Sequence, residues 1–124
     1  MSTLYTQPEP KRLAQIVRLK RDSLQAYKDC HANVWPGVLA QIKACNIDDY
    51  SIFLDERSMI LYATMKYLGN DFDKDMAAMA ANPEVQKWWA MTDDMQESLV
   101  EGSTGSMDPR GWWAPLEEVF RFQQ

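Results

Sequence analysis

The feature that most constrains this chain is its hydrophobic period, which switches between the two-residue repeat of strands and the about 3.6-residue repeat of helices. Residues 13–19 alternate, with Leu13, Gln15 and Val17 set against Ala14, Ile16 and Arg18, and predict a first strand. Asp22 or Ser23 then caps a helix that runs through Leu24, Tyr27 and His31 toward Trp35. Pro36 does not fit inside that helix but suits the first turn of a second one over residues 37–44, with Val38, Leu39 and Ile42 inward. Residues 50–54 and 59–67 are β-rich and flank Asp55-Glu56-Arg57-Ser58, a turn of hairpin length. Gly69-Asn70-Asp71 punctuates the next helix and Asn82-Pro83 opens another. Residues 84–99 then carry Val85, Trp88, Trp89, Thr92 and Met95 on one broad face. A Gly/Ser/Asp/Pro loop over residues 101–111 leads to a last alternating run, residues 116–122.

The order is β-α-β-β-α-β. With right-handed crossovers it predicts an α+β ferredoxin-like sandwich of the dimeric α+β barrel type, an antiparallel sheet with helices on one face. The other face then needs cover, which predicts a homodimer packed sheet against sheet. Residues 1–11, with Pro8 and Pro10, read as a flexible leader, and residues 12–124 as a single domain large enough for a core without disulfide or metal support. Cys30 and Cys45 form neither a CxxC motif nor a disulfide framework, and one histidine is too few for an ordinary zinc site, so no metal is expected. The net charge of −5 and the shortness of the basic cluster (Lys11, Arg12, Arg18, Lys20, Arg21) argue against nucleic acid as a partner. No secretory or membrane-spanning apolar run is present, so a cytoplasmic protein without a membrane partner is expected.

His31 is the chain's one histidine, and Tyr27 precedes it by one helical turn, so phenol and imidazole can reach one small volume. Imidazole exchanges protons near pH 7 without special tuning. From the residues alone His31 reads either as a structural helix residue or as a proton-transfer group. The five tryptophans include the adjacent pairs Trp88-Trp89 and Trp112-Trp113. Neighbours on a helix lie about 100° apart, so one of Trp88 and Trp89 can enter the core while the other lines a cavity; both being core is the alternative. Indoles beside Tyr27, Tyr50 and a histidine form a pocket inventory suited to a neutral polyhydroxylated ligand. No GxGxxG, Walker or GxSxG signature is present.

Taken together, Tyr27-x-x-x-His31, Trp35-Pro36, Asp49-Tyr50-Ser51-Ile52-Phe53-Leu54-Asp55, Lys87-Trp88-Trp89 and Leu116-Glu117-Glu118-Val119-Phe120 resemble, in order and spacing, the L-rhamnose mutarotases. The resemblance covers about residues 12–122. It implies a dimeric ferredoxin-like enzyme, an isomerase that interconverts the anomers of L-rhamnose or a related 6-deoxy sugar without a cofactor. It also implies a site of Tyr27, His31, Tyr50, Trp88 and Trp89, to which the aromatic reading adds Trp35. His31, with Tyr27 or Tyr50 as partner, is the implied acid–base group, and the indoles the implied sugar platform. The chain departs from the family pattern at Asp29 and Cys30, where basic residues are frequent, and in the longer loop that brings in Trp112 and Trp113. Other occupants of the same fold are cyclase- or monooxygenase-like enzymes, and a non-catalytic sugar-binding module is a third reading. The loop over residues 102–115 is expected either to fold over the pocket mouth or to anchor the final strand.

Overall fold

The computed structural model describes residues 11–124. The leader expected over residues 1–11 lies outside the described residues except for Lys11, which opens the first strand. That strand, β1 (Lys11–Leu19), pairs antiparallel with β3 (Ile60–Tyr67), which pairs in turn with β2 (Ile47–Asp55). Two short pieces, β4 (Gln96–Glu97) and β5 (Ala114–Pro115), also pair antiparallel with β1. The resulting order β2-β3-β1-β4 is that of a ferredoxin-like α+β fold, as the alternation of periods predicts.

The helices are α1 (Leu24–His31), α2 (Pro36–Ala44), α3 (Phe72–Ala81) and α4 (Pro83–Asp93), with one 3-10 turn (Arg21–Ser23) ahead of α1. None of the described helices is long and apolar enough to cross a membrane. The predicted break between α1 and α2 is present. Trp35 takes an extended conformation (φ −61°, ψ 135°), Pro36 starts α2, and the Trp35 carbonyl accepts from the N–H groups of Val38 and Leu39. Gly37 lets α2 meet α4. Its N–H donates to a Glu84 carboxylate oxygen at 3.0 Å, in space that a Cβ would occupy. The Asn82 side chain caps α4 by accepting from the Glu84 N–H, and Asp71 caps α3 in the same way from Lys74.

Strand register fixes the two faces of the sheet. Leu13, Gln15, Val17 and Leu19 lie toward the helices together with Leu61, Ala63, Met65 and Tyr67. Val17, Leu19, Leu61 and Met59 pack there with Tyr27 of α1, while Val38, Cys45, Met79, Val85 and Trp88 form a second cluster among the helices. Ala14, Ile16, Phe53 and Tyr62 occupy the opposite face, where Phe53 is 61% exposed. β2 is irregular between Asp48 and Ser51, and Asp49 has a φ of +50°.

Three expectations change. Leu39 is exposed rather than inward, because Val38 already takes the inner side of α2. The helix expected to reach residue 99 ends at Asp93. Asp93 and Asp94 put carboxylates at the negative helix C-terminus, and the continuing burial of Met95 and Gln96 comes from the sheet instead. The strand expected over residues 116–122 is absent. Gln96 and Glu97 oppose Leu19 and Arg18, and Ala114 and Pro115 oppose Ile16 and Gln15, so residues 98–113 leave the fourth strand opposite Val17 and return to it. Pro115 has no N–H to give, and pairing stops where the Leu116 N–H meets the Ala14 carbonyl. Beyond it Val119, Phe120 and Phe122 are 86%, 80% and 75% exposed.

Candidate functional site

One helical turn puts the Tyr27 and His31 rings face to face, 4.1 Å between centroids and 29° between planes. Trp88 of α4 meets the imidazole edge-on at 5.2 Å, and Trp35, turned back by the break before Pro36, meets Trp88 edge-on at 5.1 Å. Tyr27, His31, Trp88 and Trp35 therefore form one continuous row. Trp88 is 6% exposed and packs in the helical cluster as well as against the imidazole. Tyr50 of β2 stands close enough to Tyr27 for ionisation of one phenol to oppose that of the other.

Hydrogen bonding settles the imidazole's tautomer. His31 Nδ1 lies 2.9 Å from the Tyr27 carbonyl, which can only accept, so Nδ1 carries the proton of the neutral ring and donates it. The lone pair is left on Nε2, which has no hydrogen-bond partner among the described residues. Every fully buried side-chain N or O among these residues has a partner, so Nε2 is not fully buried. Cys30 Sγ lies 3.3 Å both from Nδ1 and from the Tyr27 carbonyl, closing the other side of the ring. Burial lowers the His31 pKa from its ordinary value, and the bond to the Tyr27 carbonyl offsets only part of that. The ring is thus neutral at pH 7 with one free basic nitrogen.

The phenols are tuned the opposite way. Burial, and secondarily Tyr50, push the Tyr27 pKa well above the usual tyrosine range. Tyr50 is 39% exposed as a residue, yet burial of its phenol pushes it up to about 12. Both remain protonated donors at neutral pH. Gln96, 3% exposed, donates from Nε2 to the Tyr27 hydroxyl at 3.3 Å and accepts from the Trp112 indole N–H at 2.8 Å. Among the described residues no group of three or more His, Cys, Asp or Glu could hold a metal ion.

Residues 12–122 match the family model described as L-rhamnose mutarotase. The chain is 34% identical over 110 residues to an L-rhamnose mutarotase of Formosa agariphila, covering 89% of this chain and 96% of that one. An L-rhamnose mutarotase of Bacillus subtilis is 31% identical, with the same coverage of both chains. The crystal structure of the Formosa agariphila L-rhamnose mutarotase superposes with a TM-score of 0.68 at 31% identity, over 91% of this chain and 99% of that one. The chain belongs to the L-rhamnose mutarotase family. That membership makes it an isomerase that interconverts sugar anomers.

Of the residues that the resemblance to the mutarotases implies, Tyr27, His31 and Trp88 come together through ring contacts, with Trp35 joined through Trp88, while Tyr50 is linked to them by the mutual repulsion of the two phenolates. Trp89 makes no ring contact with His31. It lines a groove of about 510 Å³ between α4 (Gln86, Trp89, Asp93) and the loop over residues 104–110. Tyr27, His31 and Tyr50 do not line that groove. The loop beside it is rigidly built. Asp108 accepts from the Thr104 N–H and hydroxyl and from Arg110, which holds its carboxyl far below the usual carboxylate range, while Ser106 is tied to Asp93 of α4. Gln96 and its bond to Trp112 had no signal in the sequence. An amide inside an expected helix, contacting a tyrosine far along the chain, leaves no local pattern.

Proposed function

We propose that this chain interconverts the α and β anomers of L-rhamnose, or of a closely related 6-deoxy sugar, by acid–base opening and reclosure of the pyranose ring. The observation that carries the reading is the neutral imidazole of His31, proton held at Nδ1 and lone pair free at Nε2, stacked on a phenol that stays protonated. Ring opening removes a proton from the anomeric hydroxyl and delivers one to the ring oxygen as the bond between the anomeric carbon and that oxygen breaks. His31 Nε2 takes the first proton; the phenol of Tyr27, or of Tyr50 beside it, serves the ring oxygen. Reclosure on the other face of the aldehyde returns both protons. Trp88 and Trp35 supply the apolar wall against which the sugar ring rests, and Trp89 limits the sugar from the groove side. No cofactor enters this scheme.

The active form is a homodimer in the cytoplasm. The uncovered face bearing Ile16, Phe53 and Tyr62, with the exposed Val119, Phe120 and Phe122 of the C-terminal tail, supports the dimer, since exposed apolar surface is costly to leave wet. Saturation-transfer NMR across a panel of sugars tests the catalytic reading, with accelerated exchange expected for L-rhamnose. Binding without exchange would make the chain a sugar-binding module, and no response to any sugar would sink the reading. Sedimentation at micromolar concentration tests the assembly, and a monodisperse monomer would refute it.

A further inference from the structure

Stacking fixes the ring of Tyr27, but a phenol can still offer a bound sugar either its proton or a lone pair. Gln96 decides between them. The indole N–H of Trp112 can only donate, so the Gln96 carbonyl must face Trp112 at 2.8 Å and its amide NH2 must face Tyr27 at 3.3 Å. The phenol oxygen therefore accepts from Gln96, and its own O–H has no acceptor among the described residues. Burial of the amide leaves little room for water to reorient it. Trp112 is itself set by the excursion over residues 98–113, where the Ser98 hydroxyl donates to the Trp112 carbonyl and the Ser103 hydroxyl to the Gly111 carbonyl. The titratable group that meets this amide is Tyr27, which in turn feels Tyr50 of β2 and Cys30 of α1 and is stacked on His31.

We infer that Gln96, locked by Trp112, is a positioning residue that commits the Tyr27 hydroxyl to donate a hydrogen bond to the sugar's ring oxygen. The inference rests on Tyr27 facing the sugar, as proposed above. It also gives the end of the long loop a role: the Trp112 indole N–H orients the catalytic phenol.

The test follows L-rhamnose exchange from pH 5 to 8 in the parent, Q96E, W112F and Y27F. In Q96E the introduced carboxylate, when ionised, accepts from both Trp112 and Tyr27 and draws the phenol's proton away from the site. At pH 8, Q96E is expected to lose about 10- to 100-fold in kcat with little change in KM. Once protonated, the introduced carboxyl can donate to Tyr27 while its carbonyl serves Trp112, so the ratio of Q96E to parent rates should climb as pH falls. A ratio that stays flat with pH would reduce Gln96 to a packing residue and overturn the inference. W112F frees the amide to turn over and is expected to lower kcat by about 3- to 10-fold. It carries the test if Q96E does not fold, and a parental kcat in W112F would then refute the lock. Y27F and the parent together separate the two claims. A parental rate in Y27F leaves the ring oxygen to Tyr50 and overturns the Gln96 inference, as does a slow Y27F beside a Q96E of parental rate, whereas a parent that does not accelerate L-rhamnose exchange overturns the underlying reading itself.

Discussion

Trp88-Trp89 and Trp112-Trp113 are the same dipeptide in two backbones. In α4 successive side chains diverge by about 100°, so Trp88 turns inward to His31 and Trp35 while Trp89, packed at the margin of the same cluster, also lines the groove beside the loop. Trp112 and Trp113 immediately precede β5, with no helix to divide them, and both pack against the cluster of Val17, Leu19, Tyr27, Met59 and Leu61. A helical pair thus links two places, and a pair outside a helix reinforces one. The identity of the residues does not decide this; the backbone that carries them does.

The sharpest way to break the comparison is at the inner end of the helical pair. His31→Asn keeps a planar polar group without its titration, and exchange is expected to fall by about two to four orders of magnitude. Near-parental exchange in a folded variant would move the chemistry away from Trp88 and toward the groove of Trp89. Stability should then separate the two neighbours. Trp88→Ala empties a buried site and is expected to cost about 3–5 kcal/mol in urea unfolding. Trp89→Ala, at a partly exposed position, is expected to cost about 1 kcal/mol. Equal losses would erase the distinction.

The pH profile sharpens the inner site further. Burial lowers the His31 pKa, so the native state prefers the neutral ring. Its contribution to stability is complete above the unfolded value of about 6.5 and is lost as pH falls through the lower folded value. The base at Nε2 disappears over that same lower range, so kcat should hold at neutral pH and fall only below about 6.5. An acid limb centred above the ordinary histidine value would contradict the buried, carbonyl-bound ring. The smallest effect is expected at the outer end of the pair. Deleting residues 103–108 removes the Asp108 knot and the tie from Ser106 to Asp93. It should broaden sugar selectivity and raise KM a few-fold while leaving the fold intact. Unchanged selectivity across the sugar panel would make this stretch only a connector.

Local signals made much of this legible. Alternation marked β1, and two β-rich runs around a polar turn marked the β2–β3 hairpin. Pro36 marked the helix break, and Asp71 and Asn82 marked two helix starts, because each of these acts within a few residues. The i, i+4 spacing of Tyr27 and His31 was sufficient to stack them. The fourth strand was not legible, since its halves are separated by residues 98–113 and its pairing exists only against β1. The choice of Trp88 over Trp89 depends on the rotation of α4 about its axis, which packing sets. Gln96 meets Tyr27 across the fold, and a periodic pattern carries no trace of such a contact.

The interrupted fourth strand has a consequence for what copies of this chain can do to one another. A continuous outer strand is a template on which further chains add without limit, the route to fibrils. On one side of the sheet the ladder is cut after Glu97 and resumes with a proline that has no N–H. On the other side β2 is kinked at Asp49, whose carboxylate is held 3.8 Å from both Arg12 and Lys66. Neither margin offers an unbroken row of free backbone groups. Strand-by-strand addition thus meets an interruption at both margins, and the homodimer proposed above, packed through the apolar face, would close once two copies have met.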